Sequence, residues 1–329
     1  MSHSFMLCTR ATRGGQFIPE PGTSRYLKIP KGQTPRPDHA IPRNQWVREL
    51  LAAATWGTDA RRNNAPRGDI LVYIHGYNND LATITSRHKR LETDLAAQGF
   101  KGVILTFCWP SDDKPIAYLE DRHDAKTCAM QLVTDGIALL SRHQSADCSI
   151  NIHLLAHSTG AYVVREAFDD ADDSILANGG WSVSQVAFIA ADVSSGSMAA
   201  ENATSESIYR HCARLTNYQN KHDSVLKLSN VKRVGVAPRV GRVGLPDDAP
   251  SKAVNVDCSD YFELLEGNPQ TAAADQSARI GTFDHSWQIG NRTFARDLFH
   301  TLIGDLDRDV IPTRTRDRNG AILLTRSAV

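Results

Sequence analysis

The sequence has no cysteine pair at CxxC spacing, no Cys/His run with zinc-ligand spacing, no excess of either charge and no long apolar run. Each absence closes a class of function. Six cysteines (Cys8, Cys108, Cys128, Cys148, Cys212, Cys258) lie scattered along 329 residues. That scatter fits free thiols in a reducing compartment better than a disulfide framework or a structural zinc site. Basic and acidic residues balance at 37 each, so nothing announces a polyanion and no nucleic-acid partner is expected. No window approaches the ~18 apolar residues of a membrane span, and residues 1–15 lack the apolar core of a secretion signal. A soluble, cytoplasmic protein is expected, without metal or cofactor. Its oligomeric state is left open.

What is present is an apolar share of 41%, enough for a sizeable core. Residues 1–66 read as an N-terminal extension packed on that core, with strand-like runs at 4–9 and 25–29, a Pro/Gly-rich loop at 30–42, and a helix at 45–56 capped by Asn44. Residues 67–307 alternate strand and helix, with strands expected at 69–74, 102–108, 149–155, 185–190, 213–218 and 252–256. Nearly unbroken β-branched runs such as Ile70-Leu71-Val72-Tyr73-Ile74 are what strands covered on both faces require. The alternation predicts an α/β fold with a mostly parallel central sheet and helices on both faces. Residues 308–329, where Arg and Asp intermix, read as a solvated tail.

The chemistry concentrates at Ala156-His157-Ser158-Thr159-Gly160, which lies between an apolar strand and a helix. That is the strand–turn–helix setting of a nucleophile elbow. The serine sits at the apex of a strained turn, so the residues two before and two after it must be small. A serine hydroxyl needs a base and donors for the developing oxyanion. The backbone N–H of Thr159, at a helix N-terminus, is one candidate donor. The loop His75-Gly76-Tyr77 follows the first long apolar strand and offers the second, the N–H of Tyr77, with Gly76 permitting close backbone approach. His75 reads as a brace of that loop.

Three blocks together resemble the α/β-hydrolase family catalogued as DUF900: Val72-Tyr73-Ile74-His75-Gly76-Tyr77-Asn78-Asn79; Phe107-Cys108-Trp109-Pro110-Ser111 with Tyr118 and Asp121; and Leu154-Leu155-Ala156-His157-Ser158-Thr159-Gly160. The similarity runs from about Ile70 to His285. It implies an α/β-hydrolase fold and a Ser/Asp/His triad, but little about substrate.

In that fold the triad follows the chain order serine, acid, histidine. Among the late histidines His211, His222, His285 and His300, the base is assigned to His285, in a loop between the last expected strand and the last expected helix. Its His-Ser-aromatic string also resembles the family's. The acid is assigned to Asp223, in a string resembling the family's acid block, with Asp192 as the alternative. His157 reads as a supporting hydrogen-bonder.

The expected function is hydrolysis of a small-molecule carboxylic ester through an acyl-enzyme on Ser158. An amidase, thioesterase or acyltransferase on the same triad is one alternative, and a non-catalytic binding module on the same fold is another. Trp109, Tyr118 and Trp287, beside Tyr77, are candidate pocket walls. The Gly/Pro/Gln/Ala-rich stretch 264–283 is a candidate flap over the site.

Overall fold

The structure, a computed structural model, describes residues 2–111, 118–142, 149–172, 180–231, 237–276 and 281–326. Among them eleven strands form one sheet. In chain order these are β1 (His3–Arg13), β2 (Gln16–Pro30), β3 (Thr55–Asp59), β4 (Ala65–Ile74), β5 (Val103–Cys108) and β6 (Ser149–His157). They continue as β7 (Val183–Ile189), β8 (Cys212–Gln219), β9 (Ala253–Asp257), β10 (Arg314–Arg316) and β11 (Ile322–Leu324). The spatial order is β10-β11-β9-β8-β7-β6-β4-β5-β1-β2, with β3 paired to β4. From β11 through to β1 every neighbouring pair is parallel, and only the hairpins β1/β2, β10/β11 and β3/β4 are antiparallel.

The helices are α1 (Arg43–Ala54), α2 (Leu81–Ala97), α3 (Tyr118–Gln131), which runs through a π turn at Leu132–Ile137 into α4 (Ala138–Ser141), α5 (Thr159–Asp172) and α6 (Ala203–His211). After them come α7 (Ser224–Val231), α8 (Val240–Val243), α9 (Ser259–Gly267), α10 (Pro269–Ala274), α11 (Phe283–Ser286) and α12 (Arg292–Ile303). Side-chain alternation along the strands divides the core in two. Ile70, Val72 and Ile74 join Leu105, Phe107, Ile152 and Leu154 under α1, α3, α5 and α6. Leu71 and Tyr73 join Ile104, Leu155, Ile189 and Tyr218 under α2, α9 and α12. This is the mostly parallel α/β architecture with helices on both faces that the alternation of strands and helices predicts, and it agrees with the fold that the family resemblance implies.

Helix starts follow local chemistry. The Asp80 side chain accepts from Thr83 N at 2.7 Å and caps α2. Helix α1 begins one residue before the expected cap Asn44, because the carbonyl of extended Pro42 already accepts from Trp46 N at 2.9 Å.

Both termini depart from expectation. The N-terminal residues supply strands of the sheet itself: β1 pairs with β5 in parallel, from Phe5 opposite Leu105 to Cys8 opposite Cys108. The expected solvated tail folds back, with β11 paired to β9. Its arginine count hid a buried group, Arg314. The side chains of Arg314 and Asp297 are fully buried. Arg314 Nε and Nη2 donate to Asp297 at 2.9 and 2.6 Å, and Asp297 also accepts from Tyr218 OH at 2.7 Å and Thr313 Oγ1 at 2.6 Å. The tail is thereby tied to α12 and β8 through one satisfied polar network.

Two stability predictions follow from this packing. Arg314→Met leaves the Asp297 carboxylate buried and unpaired, and should cost about 3–5 kcal/mol in denaturant unfolding, whereas Arg314→Met with Asp297→Leu should recover most of the loss. His88, buried on α2 with Nδ1 2.8 Å from Thr106 Oγ1, is pushed down to about 4 from 6.5 by burial. The unfolded chain then takes up its proton first, so His88 should lower stability as pH falls from 6.5 toward 4. His88→Gln should flatten that part of the stability–pH curve.

Candidate active site

Strand β6 delivers Ser158 to its apex, and α5 begins at the next residue. Ser158 has φ +55°, in the left-handed region. Three backbone hydrogen bonds hold it there: Ser158 N to Ile189 O at 3.0 Å, Ala161 N to Ser158 O at 3.0 Å, and Asp192 N to Ser158 O at 3.1 Å. The small neighbours follow from contact. A Cβ on Gly160 would stand 2.5 Å from Ile74 O and 2.7 Å from His75 O. A Cβ on Gly76 would stand 2.7 Å from Ser158 Cβ. Gly76 therefore brings the 75–77 loop directly against the serine, as the oxyanion reading of that loop requires.

Ser158 Oγ lies 2.8 Å from His285 Nε2, and His285 Nδ1 lies 2.7 Å from Asp223 Oδ2. All three residues are buried. The expected loop around His285 is a helical turn, α11. Asp223 serves twice: its Oδ1 accepts from Leu226 N at 2.8 Å and caps α7, leaving Oδ2 for the imidazole. Its backbone carbonyl accepts from Arg242 Nη1 at 3.0 Å.

The alternative acid Asp192 is engaged elsewhere. Its Oδ1 lies 3.0 Å from Arg239 Nε, both side chains buried. Of the other late histidines, His300 lies within α12, as its helical pattern suggests. His211 lies 2.6 Å from Asp172 and stacks on Trp181, and His222 lies 2.8 Å from Glu263.

Residues not singled out in the sequence knit the two loops together. Asn220 Nδ2 donates to Asp284 O at 3.1 Å, and Ser224 N donates to Asp284 Oδ2 at 2.9 Å. His157 Nε2 donates to His285 O at 3.0 Å, the supporting role read for it. Arg87, buried on α2, reaches His157 Nδ1 at 3.4 Å and donates to Ser286 Oγ at 3.1 Å. Burial, helped by the Arg87 charge, holds the His157 imidazole well below its usual range. It stays neutral, with Nε2–H free to donate. One signal for Arg87 did exist: it stands beside His88 on the stripe Ile84, Leu91, Leu95 that α2 buries.

Three expectations about the pocket are corrected. Trp109 and Trp287 are fully buried core side chains rather than exposed pocket walls. Trp109 donates from Nε1 to His75 O at 2.8 Å and stacks on the His75 ring, while Trp287 packs among Tyr261, Phe262 and Phe294. The stretch 264–276 is no loose flap but the end of α9 and all of α10, anchored by Tyr261 OH to Asp275 Oδ2 at 2.6 Å. Residues 277–280 of that stretch, and the Tyr118 side chain, lie outside the described residues. Tyr77 is partly exposed and Thr159 buried. Among the described residues no group of three His, Cys, Asp or Glu side chains is placed to hold a metal ion, and no helix is long and apolar enough to cross a membrane.

A mostly parallel sheet with a left-handed serine at a strand-to-helix turn defines an α/β hydrolase. A family model, "Alpha/beta hydrolase of unknown function (DUF900)", matches residues 53–260, and the chain belongs to that family. Among solved structures it is similar to phospholipase PlaB from Legionella pneumophila in complex with thio-NAD, at 13% identity over 72% of this chain and TM-score 0.33. The chain spans 62% of that protein's length. It is also similar to a cutinase-like protein from Cryptococcus sp. (12% identity, 74% of this chain and 98% of that one, TM-score 0.32). A Trichoderma reesei cutinase in complex with a phosphonate inhibitor is a further likeness (12% identity, 80% and 92%, TM-score 0.30). No curated protein matches the chain.

The contacts at Gly160 give a direct test of the elbow. The atoms a Cβ would strike are backbone, so Gly160→Ala should destabilise the fold by about 1–3 kcal/mol or more in chemical unfolding. Unchanged stability would contradict the packing described.

Proposed function

We propose that the chain is a serine hydrolase that cleaves carboxylic esters through an acyl-enzyme on Ser158. The observation that carries this reading is the unbroken hydrogen-bonded line from Ser158 Oγ to His285 Nε2 at 2.8 Å and from His285 Nδ1 to Asp223 Oδ2 at 2.7 Å. His285 takes the hydroxyl proton as Ser158 attacks the ester carbonyl. Asp223 holds the imidazole in the tautomer with Nε2 as acceptor and stabilises the cation that forms. The N–H groups of Thr159 and Tyr77 receive the oxyanion. The alcohol leaves with the proton from His285, and water activated by the same imidazole then releases the acid.

Asp223 is favoured over Asp192 in this reading because the Asp192 carboxylate is paired with the buried Arg239.

A fluorophosphonate probe should label the native protein and not Ser158→Ala. An unlabelled native protein removes the hydrolase reading and favours a binding module. With p-nitrophenyl esters of graded chain length, Asp223→Asn should lower turnover by about 10⁴-fold, and Asp192→Asn should leave most of it. The reverse ranking would reassign the acid.

A further inference from the structure

We infer that Arg10, on the first strand, is a positioning residue that orients the Gly76–Tyr77 peptide through Asn79. This rests on the serine-hydrolase reading above and adds a part of the machinery that lies outside the 53–260 stretch matched by the family model.

The register of β1 on β5 determines where Arg10 arrives. The last parallel pair is Cys8 opposite Cys108, so Arg10 stands just beyond the carboxyl end of β5, level with the Trp109–Ser111 turn. Arg10 follows the packed residues Met6 and Cys8, across an irregularity in the β1/β2 register. The residue is 4% exposed. Its Nη2 donates to Asn79 O at 3.0 Å, to Ser111 O at 3.3 Å and to Ser111 Oγ at 3.4 Å. Ser111 Oγ itself donates to Asn79 O at 3.2 Å. A buried guanidinium thus ties the Asn79 carbonyl to the Ser111 turn, with its shortest bond to Asn79 O.

The Asn79 side chain passes this grip forward. Its Nδ2 donates to Gly76 O and to Tyr77 O, each at 2.8 Å, and Gly76 O also accepts from His75 Nδ1 at 2.9 Å. A trans peptide is planar, so its N–H leaves on the side opposite its carbonyl. Anchoring Gly76 O therefore sets the direction of Tyr77 N–H, the proposed oxyanion donor. This restraint answers a specific weakness. Position 76 must be glycine, since a Cβ would stand 2.7 Å from Ser158 Cβ, and glycine is the residue whose flanking peptides rotate most freely. A rotated Gly76–Tyr77 peptide would present a carbonyl where a donor is needed. Arg10 and Asn79 supply from outside the loop the rigidity that glycine lacks.

The test is phosphonylation of Ser158 by a fluorophosphonate, followed in time to separate the maximal rate from the half-saturating probe concentration, with melting temperature as a fold control. Arg10→Met and Asn79→Ala should each lower the maximal rate about 10- to 100-fold, a fraction of a full oxyanion donor, with half-saturation changed less than about 2-fold. Arg10→Lys, which keeps one donor and the charge, should recover part of the rate. The double variant should be no slower than Asn79→Ala alone, because one residue acts through the other. Unchanged rates in folded variants, a loss confined to half-saturation, or multiplicative losses in the double variant would overturn the inference and leave the hydrolase reading standing. If Arg10→Met does not fold, Arg10→Lys and Asn79→Ala decide by the same criteria. If the native protein is not labelled, both readings fall together.

Discussion

A left-handed backbone at a residue other than glycine costs of order 1–3 kcal/mol, and Ser158 carries that conformation at φ +55°. The surroundings are arranged to keep it there. Strand β7 supplies the acceptor for Ser158 N, and the turn after it supplies Asp192 N as donor to Ser158 O. The carbonyls at the end of β4 and just beyond it leave no room for a side chain at Gly160. The neighbours β4, β6 and β7 are therefore adjacent for a reason that reaches beyond hydrogen-bond pairing, since each contributes atoms to hold one strained turn. The position of Ser158 is a property of the sheet, not of its own loop.

The other two members of the proposed triad arrive by longer routes, yet each is pinned from more than one side. Asp223 divides its two carboxylate oxygens between the N-terminus of α7 and the imidazole, so forming the helix and orienting the acid are one event. The His285 turn is tied through Asp284 to Asn220 and Ser224, and through its own carbonyl to His157. The residue that precedes the serine thus holds the backbone of the residue proposed as its base. Neutral His157 does this as a donor, and the cation Arg87 beside it opposes the protonation that would alter the arrangement.

The strands and the strand–turn–helix setting of Ser158 were legible because each has a local signature, a β-branched run or a small-residue frame, whereas the proposed roles of Asp223 and His285 rest on chain order and on the family resemblance. Global packing has no such signature. Trp109 and Trp287 stand next to motif residues, and adjacency in sequence suggested a pocket; the sheet turns both rings into its two cores instead. The tail looked solvated because its arginines and aspartates are evenly mixed, but one arginine, Arg314, finds its partner Asp297 on α12, 17 residues away. The Gly/Pro/Gln/Ala composition of 264–283 suggested a flap, where Asn268 and Pro269 instead start a short helix with a side-chain cap on Thr271 N. For the tryptophans and the tail a long-range partner overrode a local cue; for the third stretch a local helix cap did.

The N-terminal hairpin shows the same principle at the level of function. Read alone, residues 1–66 carry no motif to which chemistry can be assigned, and they read as an extension packed on the core. Yet a parallel sheet collects its site at the carboxyl ends of its strands, and a strand added in parallel brings its own carboxyl end to that edge. Strand β1 is added in parallel, on β5, whose following turn holds Trp109 and Ser111 against the 75–79 loop. A strand recruited there necessarily presents residues to that loop, and the one it presents is a buried arginine. An antiparallel addition would have turned the carboxyl end of β1 to the far edge of the sheet, leaving Asn79 O to Ser111 alone. The direction of one strand thus decides whether the N-terminal extension is packing or part of the site.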